Sequence, residues 1–183
     1  MSKIVSVNSK QALTEMKRMS RALDTHRKGE VNRAMAATIN DSLKKSRTKI
    51  VRRVSKAMQI KQSPIRQRVK ITRAKATSLH GKVWAGTNRL SARTAGAKPR
   101  GDGHAVGPYE WPNTFTNKGL RNIYVRKGQG RGNIEVAGFG AQFTEKTLKS
   151  ALNAETEASL SKDFPLELFR QLTWRLDKAL GIK

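Results

Sequence analysis

The side chains with the clearest chemical potential are cations. Eighteen Lys and Arg lie between Asp41 and Asp102, with no acid among them. Within this stretch Lys44, Lys45, Lys49, Arg52, Arg53, Lys56, Lys61, Arg66, Arg68, Lys70, Arg73 and Lys75 are the candidate contacts to nucleic acid or to a partner protein. The whole chain carries 38 Lys and Arg against 13 Asp and Glu, a formal charge of +25. Like charges repel in a compact state, so the excess makes sense when a polyanion or an acidic protein face neutralises it. Phosphate is the first candidate, because Lys and Arg bound to it release counterions. Reading base edges needs side chains aimed into a groove, and no DNA-reading motif is present.

Other chemistries find little support. Cysteine is absent, which excludes disulfides, cysteine-based zinc sites and thiol catalysis. His26, His80 and His104 are far apart and lack the spacing of metal ligands. Glu155 and Glu157 fall on different sides of a helix, as solvated residues rather than an acid–base pair. The glycine-rich stretch 128–132 lacks the Lys-Ser/Thr ending of a phosphate loop and sits between two strand-like runs, so it reads as a hairpin turn. No catalytic residue, metal or cofactor is expected. Neither a secretory signal nor a membrane-spanning run is visible, so a cytosolic origin is expected.

These cations need elements to hold them. From Glu30 to Ser63 there is neither Gly nor Pro, and Val31, Met35, Ile39, Leu43, Ile50, Val54 and Met58 keep one face apolar. The spacing predicts a long helix. On it Lys45, Lys49, Arg52 and Lys56 fall within about 60° of one another, opposite Leu43, Ile50 and Val54. Arg47 falls near the apolar side, where its head must snorkel or meet an acid. A strand at 4–7 and a first helix through Leu13, Met16, Met19 and Leu23 are expected before it.

After it, Ser63-Pro64 predicts a short helix start. Strands are expected at 78–87, 122–126 and 133–137. Residues 92–112 are rich in Gly, Pro and Arg without apolar period, and are expected to form a long flexible loop ordered by a partner. Within it Tyr109 and Trp111 are candidates either for an anchor on a neighbouring surface or for simple loop packing, whereas Trp84 and Tyr124 belong to strands. Two closing helices follow, the last beginning at Pro165 with Leu168, Phe169, Leu172, Leu176 and Leu180 on one face. The fold class is α+β: N-terminal amphipathic helices, a small mainly antiparallel sheet and C-terminal helices, in one domain over 1–183.

Several stretches carry a family likeness. They are Arg-Ala-Met-Ala-Ala-Thr-Ile-Asn at 33–40, Ile-Lys-Gln-Ser-Pro-Ile-Arg-Gln-Arg-Val-Lys-Ile at 60–71 leading into Thr-Arg-Ala at 72–74, and Gly-Lys-Val-Trp-Ala at 81–85. Late in the chain, Asn-Ile-Tyr-Val-Arg-Lys-Gly at 122–128 and Phe-Pro-Leu-Glu-Leu-Phe-Arg-Gln-Leu at 164–172 extend it. Together they resemble the minor tail protein Z family of long-tailed phages, the lambda-like tail-completion proteins. The resemblance covers most of the chain through patterns of charge and apolar spacing rather than a signature site. The loop at 92–112 and the glycine-heavy turn at 128–132 depart from the family pattern.

The resemblance implies a non-catalytic virion component at the head-proximal end of a tail, made in the host cytoplasm. It implies a role in joining tail to capsid and positioning the genome end, and a homo-oligomeric ring among other tail and connector proteins. Genomic double-stranded DNA is the partner suggested by charge. The rival expectation is a sequence-nonspecific, nucleic-acid-binding basic protein with no phage role.

Overall fold

A computed structural model describes residues 28–117, 119, 121–128 and 132–180. The strand and first helix expected before residue 28 lie outside the described residues. The fold is α+β, and the described elements form two compact units. Of the described residues, one unit comprises 51–68 and 85–151 and the other 28–50, 69–84 and 152–180.

Helix α1 (Lys28–Met58) runs through the 31 residues in which the sequence offers no helix breaker after Gly29. Glu30 in its first turn and Lys56 in its last complement the helix dipole. Beside Val31, Met35, Ala36 and Val51, its buried positions include Ala34, Thr38, Ser42, Ser46, Ile50, Val54 and Met58, an unbroken ladder of four-residue steps. Each step advances about 40° beyond a full turn, so the buried stripe winds around the helix. Small hydroxyl residues, not Leu43 or Ile39, fill its middle; those two leucine-sized chains are only half-buried. Thr38 satisfies its hydroxyl by donating to the Ala34 carbonyl at 2.9 Å. The helix ends as the Ile60 N–H reaches back to the Ser55 carbonyl at 3.1 Å, with Gln59 in the left-handed region at φ 47°.

In the unit that holds the first part of α1, strand β1 (Val69–Thr72) pairs with β2 (Lys82–Ala85). β2 is shorter than the strand expected at 78–87. Gly81 lies against α1; a Cβ there would sit 2.7 Å from Leu43 Cδ1 and 2.9 Å from Ile39 Cγ2. The Asn40 side chain pins the segment after β1 in the manner of a strand partner. It donates to the Ala74 carbonyl at 3.0 Å and accepts from the Ala74 N–H at 2.9 Å. The Arg47 Nε donates to the Val69 carbonyl at 2.9 Å, so its head is held at the backbone of β1.

The core of this unit joins Val31, Ala34 and Met35 to Phe164, Leu168 and Leu172 of the last helix. That helix, α5 (Phe164–Leu180), continues without interruption from α4 (Ala141–Ala158) through a π-helical turn at Ser159–Asp163. Pro165 explains the widened turn. A proline ring clashes with the carbonyl four residues back and offers no N–H, and a π turn relieves both. Phe169, expected on the packing face with Leu168 and Leu172, is instead 68% exposed. It lies about 100° round the helix from Leu168, beyond the reach of a core centred on Leu168 and Leu172.

The other unit begins with the end of α1 and α2 (Gln62–Arg68), whose Pro64 and Ile65 are buried. Pro64 sits in the first turn, where its missing N–H has no partner to lose. Among the described residues the β structure is four small sheets rather than one. Strand β3 (Leu90–Ser91) pairs antiparallel with β10 (Gly138–Phe139), and Ser91 caps the short helix α3 (Ala92–Ala95).

Residues expected as a loop at 92–112 form α3 and an antiparallel meander of β4 (Lys98–Arg100), β5 (Gly103–Val106) and β6 (Tyr109–Trp111). Gly101 at φ 60° and Gly107 at φ 55° supply the tight turns. Tyr109 and Trp111 anchor the meander within the chain. Their rings lie edge-on to Phe139 at 4.6 and 5.4 Å, so both take part in packing within the chain. Strands β7 (Thr114–Phe115), β8 (Tyr124–Arg126) and β9 (Ile134–Val136) form the last sheet. β8 and β9 are the hairpin expected around 128–132, with Gly128 at φ 82°. Ala92, Ile123 and Ala137 form a small core between these pieces.

Candidate polyanion interface

The sequence-predicted cations divide between the two units. In the unit containing β1, α1 carries Lys44, Lys45 and Lys49, all exposed. None of the three is left to solvent alone. Lys44 pairs with Asp41 one turn away at 2.9 Å. Lys45 reaches Glu167 on α5 at 3.1 Å, and Lys49 reaches Asp163 in the π turn at 2.7 Å. Glu167 is 7% exposed and also accepts from Arg170 at 2.5 Å and Gln171 at 3.5 Å. Burial pushes its carboxyl up, but the hydrogen bonds from Lys45, Arg170 and Gln171 outweigh burial and hold it below the usual carboxylate range. The upper part of the predicted stripe therefore ties α1 to the last helix.

Lys70, Arg73 and Lys75 in the same unit behave differently. Alternation along β1 turns Lys70 outward while Val69 is fully buried. The Asn40 clamp on Ala74 holds Arg73 and Lys75 on either side of a buried residue, so both side chains stand exposed. Among the described residues these three form no salt bridge.

In the other unit, Arg52, Arg53 and Lys56 lie on the exposed side of α1, flanking buried Val51, Val54 and Met58. Lys61 stands exposed just before α2, and Arg66 on α2 reaches Gln62 at 3.5 Å. Arg52, Lys56 and Lys61 form no salt bridge with a described residue. Arg68 is part of the scaffold. Its guanidinium donates to the carbonyls of Gly86, Asn88 and Arg89, at 3.4 Å for Gly86 and 2.9 Å for Arg89, and so fixes the turn between β2 and β3. Burial lowers its pKa.

Elsewhere Glu135 and Glu30 are occupied by cations of the chain. Glu135 accepts from Lys127 at 2.6 Å and from Arg89, and these two hydrogen bonds hold its carboxyl down to about 2 against the effect of burial. Glu30 is bonded by Arg33 and, at 3.2 Å, by Arg175; burial raises its pKa, and the two guanidiniums more than offset it. The third histidine, His104, is buried with Nδ1 3.0 Å from the Thr114 hydroxyl, a structural contact. Among the described residues no three His, Asp or Glu side chains converge as a metal site, and no helix is long and apolar enough to cross a membrane.

Sequence reasoning missed two features. The carboxylates that engage Lys45 and Lys49 lie 122 and 114 residues away, and no local pattern announces them. The other is a second apolar face on α5, made of Leu166, Phe169 and Trp174. A helical wheel separates these residues from Phe164, Leu168 and Leu172, so the signal was present in the spacing.

What remains is a scaffold that exposes cations in both units. Such surfaces recognise phosphate or carboxylate by charge. No curated protein matches the chain, and no solved structure does. The family model of the prophage minor tail protein Z (GPZ) matches residues 13–180, and the chain belongs to that family of structural phage-tail proteins, which are not enzymes.

Proposed function

We propose that this chain completes the head-proximal end of a long phage tail, where it prepares the tail for capsid joining and helps position the genome end. Copies of the chain form a ring there among other tail and connector proteins. The observation that carries the reading is the set of exposed cations that have no acid partner among the described residues: Arg52, Lys56 and Lys61 in one unit, and Lys70, Arg73 and Lys75 in the other. These contact the phosphates of genomic double-stranded DNA or acidic faces of neighbouring proteins. Lys45 and Lys49 serve mainly to join α1 to α5.

Two measurements on one variant test the reading. With Lys70, Arg73 and Lys75 all changed to Gln, affinity for double-stranded DNA and copies incorporated per tail are both determined. Loss of the steep salt dependence assigns the set to DNA. Unchanged DNA binding with reduced incorporation assigns it to an acidic protein. Wild-type behaviour in both overturns the reading.

A further inference from the structure

Helix α5 is apolar on two sides. Phe164, Leu168 and Leu172 face the core, while Leu166, Phe169 and Trp174 are 76%, 68% and 56% exposed. At 100° per residue the three exposed side chains fall within about 140° of the circumference, on the side away from the core residues. Large apolar groups gathered on one exposed face mark an interaction surface rather than the scattered exposure of an ordinary protein.

The border of this face is cationic. The Arg175 guanidinium lies 5.6 Å and the Lys178 ammonium 5.3 Å from the centre of the Trp174 ring. Arg170 stands between Leu166 and Trp174 in the helical order. Arg170, Gln171, Trp174 and Arg175 line an open cleft of 490 Å³. Arg175 donates to Glu30 through Nη1 at 3.2 Å, but its Nε is buried and has no hydrogen-bond partner among the described residues. A buried charged donor gains from an acceptor, and a carboxylate is the acceptor that also matches the border charge.

We infer that the outer face of α5 docks a protein surface in which an apolar patch is bordered by Asp and Glu. Leu166 and Phe169 supply apolar contact, Trp174 is the central anchor, and a partner carboxylate enters the cleft beside Arg170 and Arg175. Trp and Arg are the residue types that dominate protein interfaces. A second copy pairing through the same face fits poorly, because it would set Arg170, Arg175 and Lys178 against themselves, and a different face of a copy carries the excess positive charge of a chain of +25. A DNA backbone would satisfy the cations and leave the three apolar side chains uncovered. The inference rests on membership of a tail-protein family, since it places the acidic partner among the other proteins of the tail.

The test uses tails assembled without this chain and complemented by the purified full-length protein. In Trp174→Ala, the concentration giving half-maximal incorporation should rise about 30-fold, the loss expected of an interface anchor. Its affinity and salt slope for double-stranded DNA should match wild type, which separates this face from the basic set argued above. In parallel, Phe169 is replaced by a photo-crosslinking phenylalanine analogue and the complemented tails are irradiated. Crosslinks to a different tail protein, at a segment where acids flank apolar residues, support the inference. Crosslinks to another copy, to the same chain or to nucleic acid overturn it. So do an absence of crosslinks and an unchanged half-maximal concentration for Trp174→Ala.

Discussion

Replacing Glu167 with Gln should weaken the seam between α1 and α5 by about 1–2 kcal/mol at pH 7. The carboxylate is nearly buried, but its partners are not: the Lys45 and Arg170 side chains are 50% and 71% exposed. Solvent screens such pairs, and each contributes roughly 0.2–1 kcal/mol. The Gln171 contact, at 3.5 Å, adds little. The glutamine amide keeps one acceptor but turns an NH2 group toward cations that have only donors to offer. With a urea slope of about 1–3 kcal/mol per molar, the midpoint should fall by roughly 0.5–1 M.

The pH dependence has a fixed sign. The folded-state pKa of Glu167 is lowered from 4.5, so its contribution is complete above that value and fades as pH falls through the depressed folded value. The gap between wild type and variant should therefore close in acid. Urea midpoints at neutral pH and at successively lower pH test this. A gap as wide in strong acid as at pH 7 would assign the loss to packing and refute the electrostatic reasoning. No gap at pH 7 would do the same.

Ile50→Ala should destabilise by about 2–5 kcal/mol, because Ile50 is fully buried, whereas Lys56→Ala should stay within about 0.5 kcal/mol; equal losses in urea melts would contradict the assigned faces. Glu135→Gln should reduce stability above pH 4.5, with the difference disappearing as pH falls from 4.5 to about 2, because the folded carboxyl titrates near that lower value; thermal melts across this range show it. Gly103→Ala should cost roughly 1–3 kcal/mol by thermal melt, since a Cβ there would strike the Trp111 carbonyl and come within 2.9 Å of the Pro112 Cα.

The parts of the fold that were legible are those with a long apolar period or a clear break. Helix α1 was visible because 30–63 contains no Gly or Pro, and the β8–β9 hairpin because two β-branched runs flank glycines. The meander was not legible, because its strands are three or four residues long and Lys98, Pro99 and Arg100 are all exposed. Such a strand exists through backbone pairing and leaves no alternation to read. Its signal was in the turns, where Gly101 and Gly107 recur six residues apart. Phe169 was misplaced because a leucine-rich helix looks apolar on one side until its angles are taken residue by residue. Within the candidate interface, the exposure of Arg52, Lys56, Lys61, Lys70, Arg73 and Lys75 followed from the sequence. The structural duty of Arg68 did not, because its partners are backbone carbonyls 18 to 21 residues away.

The claim that the exposed cations contact a polyanion is tested most directly by the salt dependence of double-stranded DNA binding. The variant with Arg52, Lys56 and Lys61 changed to Gln keeps good helix formers at the two helical positions, and Lys61 lies outside the helices, so helix content should hold. Each phosphate contact contributes about −0.9 to the slope of log K against log salt. The account predicts wild-type binding that is indifferent to sequence and steeply salt-dependent, with a slope shallower by up to about 2.7 in the variant. A variant slope equal to that of wild type, with the same number of copies incorporated per tail, would contradict it.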